Sequence, residues 1–150
     1  MKRNFSIAMA VAAVAVLGGC QMMRGDSKDA SPTTARNMMG VSLSGKNEVP
    51  PNDSSATGSA MVTLMADGAI KAHVTANGME ATAAHIHMAA AGANGPVVVP
   101  LEKQGSDFVS KADAKLTPEQ VTAYRGGQMY VNVHSAKFPN GEIRAQLKGS

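Results

Sequence analysis

The sequence predicts an all-β fold over about residues 40–150, an antiparallel sandwich or barrel with one short helix. Three observations predict it. Runs of strand length alternate apolar and polar residues, Gly, Pro and Asn punctuate them at regular spacing, and a single segment, LTPEQVTAYRGG, carries helix start and stop signals instead. The composition allows such a domain. With 150 residues, 44% hydrophobic and 17% charged, the chain has enough apolar material to bury one core. Three Phe, two Tyr and no Trp mean that Val, Ile, Leu, Met and Ala build that core, and that stacking platforms for bases or sugars are few.

The N-terminus reads as a secretion signal. Lys2 and Arg3 precede an uncharged run from Phe5 to Leu17, too short for a membrane span of roughly 20 residues. The only cysteine, Cys20, closes the tetrapeptide Leu17-Gly18-Gly19-Cys20, which resembles the bacterial lipoprotein box. That resemblance implies cleavage of residues 1–19 and acylation of Cys20, hence a membrane partner reached through a lipid anchor. In a Gram-negative host, Gln21 after the cysteine points to the outer membrane, with the protein facing the periplasm. Removal of residues 1–19 takes Lys2 and Arg3 and no acid, leaving 12 basic against 11 acidic residues, a formal +1. No run of Lys or Arg survives in the mature chain, so nothing there attracts nucleic acid. With Cys20 acylated no thiol is left for a disulfide, and packing alone must stabilise the domain.

Residues 20–39 read as the lipidated cysteine and a flexible tether, because QMMRGDSKDASPTTARNM has no period of two or 3.6. Its methionines read as incidental. SAMVTLMADGAIKAHVTANGM then gives two strands joined by Ala66-Asp67-Gly68-Ala69, with Ile70, Ala72, Val74 and Ala76 on the core face and Lys71, His73 and Thr75 opposite. AAHIHM, GPVVVPL, MYVNVHS and PNGEIRAQL follow as further strands. Between them LTPEQVTAYRGG offers Thr117 as N-cap, Pro118 at the first helical position, Gln120 to complete a capping box, and two glycines as a stop.

Taken in order, LSGKNEVPP, SATGSA, AAHIHMAAAGANGPVVV, LTPEQ, GQMYVNVHS and FPNGEIRAQL resemble the CHRD, or chordin-type, domain over nearly all of residues 40–150. The resemblance implies an immunoglobulin-like β-barrel related to copper–zinc superoxide dismutase. It implies no settled activity. Ala89 and Ala145 stand where that family often carries glycine.

The histidines are the candidate chemistry. In HIHM the strand period sends His85 and His87 to one face, their side chains starting about 6.6–7 Å apart. In YVNVH, Val131 and Val133 point inward, so Tyr130, Asn132 and His134 point outward, as does His73 on its own strand. If the two strands are neighbours, His85, His87 and His134 form a three-imidazole site suited to copper or zinc, with Met88 as a weaker, axial ligand. The alternative is a set of hydrated outer-face residues. Glu48, before Pro50-Pro51, reads as a folding residue at a strand start. Glu142 and Arg144 read as an exposed pair on the last strand, worth under about 1 kcal/mol. No nucleophile elbow, phosphate loop or carboxylate pair names a catalytic residue. Two functions follow: a lipid-anchored, non-enzymatic envelope module that binds protein or another envelope component, or a periplasmic copper or zinc binder, with a dismutase-like reaction as its extreme form.

Overall fold

A computed structural model of the chain describes residues 37–149. The signal segment, Cys20 and most of the tether lie outside these residues. Eight antiparallel strands form a closed barrel: β1 (Asn37–Ser44), β2 (Thr57–Leu64), β3 (Ile70–Asn77), β4 (Ala81–Met88), β5 (Val97–Gln104), β6 (Asp107–Ser110), β7 (Met129–Ser135) and β8 (Ile143–Leu147). One helix, α1 (Pro118–Arg125), lies between β6 and β7. The order around the barrel is β1-β2-β3-β6-β5-β4-β7-β8. Strand β4 therefore crosses over, and β6 returns beside β3 in a Greek-key arrangement. This crossover makes β7 the second neighbour of β4, opposite β5.

The elements follow local chemistry. The β2–β3 hairpin closes where Met65 N–H donates to Ala69 O at 2.8 Å, and Asp67 Oδ1 accepts from Ala69 N–H at 3.1 Å. Ile70, Ala72 and Val74 are buried while Lys71 and His73 are exposed, as pleat alternation requires. Helix α1 has its capping box complete: Gln120 N–H donates to Thr117 Oγ1 at 3.2 Å, and Thr117 N–H donates to Gln120 Oε1 at 2.9 Å. Its Tyr124 is fully buried and joins the hydrophobic core together with Leu116.

Two strands carry little local signal. Strand β1 begins at Asn37 and pairs with β2 along its full length, from Asn37↔Leu64 to Ser44↔Thr57. Strand β6 has four residues and is held by pairing with β5 and β3. Both exist because neighbours supply their hydrogen bonds.

The β7–β8 corner differs from an ordinary half-wet sheet. Met129 to Val133 are all buried, on both faces, as are Glu142, Ile143, Arg144 and Ala145. Segment 45–56 and the loop Ala89–Pro96 cover the outer side. Asn47 Nδ2 donates to Arg144 O at 3.1 Å, Asn52 Nδ2 to Glu142 O at 3.0 Å, and Gln146 Nε2 to Ala89 O at 2.9 Å. The expected exposed Glu142–Arg144 pair is thus corrected. Arg144 is only 2% exposed and donates to Asn94 Oδ1 at 3.0 Å and Ala93 O at 2.8 Å. Glu142, just ahead of β8, accepts instead from Ser54 Oγ at 2.6 Å and from Ser135 Oγ. Covering loops, invisible to strand alternation, are the physical reason.

Candidate metal centre

The register of β4 on β7 assembles the site. His85 faces Asn132, His87 faces Tyr130 and Ala83 faces His134 across the ladder. Ala84, Ile86, Val131 and Val133 fill the barrel interior at 0% exposure, so the residues between them emerge on the opposite, loop-covered face. There the three imidazoles converge. Ring centroids of His85 and His134 are 4.8 Å apart, those of His85 and His87 5.6 Å, and one ligand atom from each of the three lies within 4.8 Å of the others.

Backbone carbonyls set two of the tautomers. His87 Nδ1–H donates to Gly95 O at 2.9 Å, and His134 Nδ1–H donates to Pro139 O at 2.9 Å. A carbonyl only accepts, so in each neutral ring Nε2 carries a lone pair. For His87 that nitrogen is buried with no protein hydrogen-bond partner. For His134 it lies 3.0 Å from His85 Nδ1 and 3.0 Å from Asn132 Oδ1. Burial, followed by the neighbouring imidazoles His134 and His87, holds His85 below the ordinary histidine range. Burial does the same to His134, partly opposed by the hydrogen bond to Pro139. The neutral, ligating form is therefore the favoured one.

A second tier of side chains surrounds the imidazoles. The His87 ring stacks on Tyr130 with centroids 4.7 Å apart and planes 4° from parallel, and the Arg144 guanidinium lies 3.3 Å from the Tyr130 centroid. Glu48, 5% exposed, has its carboxyl pushed up to about 7, chiefly by burial, against the opposing pull of Arg144, the Val49 N–H and Asn132. Arg144 is itself drawn below the usual guanidinium value by burial.

Not every expected ligand arrives. Met88 sits one residue past His87, so the pleat turns it to the other side of β4, where it packs against the hydrophobic core. That corrects its placement as an axial ligand. His73 stands on β3, exposed, paired with Asp107 at 2.9 Å. Sequence reasoning missed that Glu48, Tyr130, Asn132 and Arg144 surround the imidazoles. Alternation already turned Tyr130 and Asn132 the right way; the return of segment 45–56 over them has no local signature.

The family model described as the CHRD domain matches residues 39–147. No curated protein and no solved structure matches the chain.

Proposed function

The chain belongs to the CHRD-domain family, and we propose that it is a lipid-anchored protein of the bacterial cell envelope whose domain binds one copper or zinc ion through His85, His87 and His134, without a reaction of its own. The observation that carries the metal reading is the convergence of three imidazoles, with the buried Nε2 of His87 left without a protein partner. An unpartnered buried polar atom costs about 1–3 kcal/mol, and a cation offers it a bond. Imidazole nitrogens suit both metals, and backbone carbonyls behind His87 and His134 hold the rings as outer partners do in metal sites. The anchor rests on the charged start, the apolar run and LGGC ahead of Cys20.

Calorimetric titration of the mature chain in detergent, stripped with chelator, tests the reading. Copper or zinc should bind with a dissociation constant below about 1 μM, and His87→Ala should weaken binding about 100-fold or more. If neither metal binds, or if His87→Ala binds as the parent does, the metal reading fails. The module that binds a protein or another envelope component is then the better account.

A further inference from the structure

We propose that Asn132 is the fourth ligand of this centre, through its side-chain oxygen, with the neighbouring Glu48 carboxyl favouring the ligating orientation of the amide; this rests on the metal reading above. Asn132 is 2% exposed and occupies the middle of the covered face, opposite His85 on β4 and opposite Arg144 on β8. Its Oδ1 lies 3.0 Å from His134 Nε2, at hydrogen-bond distance. Yet no hydrogen stands between them in the neutral ring, because the His134 proton is on Nδ1, donated to Pro139 O. Two lone pairs face each other. A cation between them converts that repulsion into two bonds, and a 3.0 Å separation corresponds to ligands about 90° apart, each about 2.1 Å from an ion, as in tetragonal cupric sites.

Rotating the amide does not remove the conflict at no cost. Its Nδ2 end lies on the side of the Glu48 carboxyl group. Gly141 leaves room for this meeting: a Cβ there would lie 2.5 Å from Glu48 Oε1 and 2.8 Å from Asn132 Nδ2. A turned amide would replace a donor by an acceptor on the side of Glu48 Oε1, which is buried without a hydrogen-bond partner. Glu48 therefore favours the amide orientation that aims Oδ1 at the imidazoles. Glu48 is a positioning residue. The resulting donor set, three imidazole nitrogens and one amide oxygen, is neutral and moderately hard. It fits zinc or cupric ion and disfavours cuprous ion, which prefers sulfur.

The test uses the full chain loaded with cupric ion after asparagine labelling with 13C at the amide carbon. Pulsed electron paramagnetic resonance should show three imidazole couplings and a 13C coupling, and the 13C coupling should vanish in Asn132→Ala, with affinity lowered about 10–100-fold. Circular dichroism in chelator establishes that the variant is folded. Because the wild-type coupling needs no substitution, a misfolded variant leaves the question decidable. Three imidazole couplings without 13C in the wild type, or a folded Asn132→Ala with unchanged affinity and spectrum, would overturn the Asn132 assignment while the histidine centre stands. Absence of every imidazole coupling would sink the metal reading along with it.

Discussion

Glu48 is a carboxyl group in a place that disfavours its charge. Its folded value of about 7 lies above the ordinary 4.5, so the folded state keeps a proton that the unfolded chain releases. The contribution is fully present below 4.5 and is lost as pH rises through 7, a swing of up to about 3 kcal/mol. His85 and His134 have the opposite sign: their values are lowered, so their contribution is present above 6.5 and is lost as pH falls through the folded values. Urea unfolding of the metal-free chain should therefore show wild type losing stability relative to Glu48→Gln between pH 4.5 and 7. Parallel stability curves for the two proteins would refute this. At this scale the sequence was legible in part. Pleat parity marked His85, His87 and His134 from the order of Val, Ile and His alone. The burial of Glu48 and Arg144 was not legible, since charged residues near a chain's last strand ordinarily face water.

The loop Ala89–Pro96 is the element on which the site depends. Arg144 holds it at Ala93 and Asn94, Asn94 Nδ2 reaches across to Val49 O at 2.8 Å, and Gln146 holds Ala89. Met88 N–H closes its base on Pro96 O at 3.1 Å. Gly95 allows that closure, because a Cβ there would stand 2.0 Å from Met88 O. Gly95→Ala must displace the loop and with it the carbonyl that orients His87. We expect a loss of about 1–3 kcal/mol in stability and a roughly 10–100-fold weaker metal affinity, read by thermal unfolding and by competition with a chelating dye. Unchanged values for both would show that the loop does not support the centre. Among the elements, the capping box of α1 and the β2–β3 hairpin follow from their own residues. Strands β1 and β6 do not, because a Gly-containing stretch and a four-residue stretch gain strand geometry only from neighbours.

For the whole molecule, a barrel of described residues 37–149 stands downstream of a segment that reads as a cleaved signal and a lipidation site. Two or more acyl chains, at about 0.8 kcal/mol per buried methylene, would hold such a protein on a membrane. Radiolabelled palmitate should appear on the mature protein and sediment with the membrane fraction, and Cys20→Ser should abolish both. Labelling that survives the substitution, or a wild-type protein that never takes up label, would remove the anchor from the proposal. A barrel with a partly covered imidazole cluster, tethered as proposed, would suit holding or handing over a metal ion near the membrane.

Local order determined what short range determines: the alternation of strands, the helix caps, the hairpin, and which histidines share a face, because each depends on residues two to four positions apart. The tertiary structure decided which strands are neighbours and what covers them. Pairing β4 with β7, about 45 residues later in the chain, follows from the Greek-key crossover. Only that pairing brings His134 and Asn132 beside His85, and only the return of residues 45–56 and 89–96 turns an outer, wet face into a partly buried polar site.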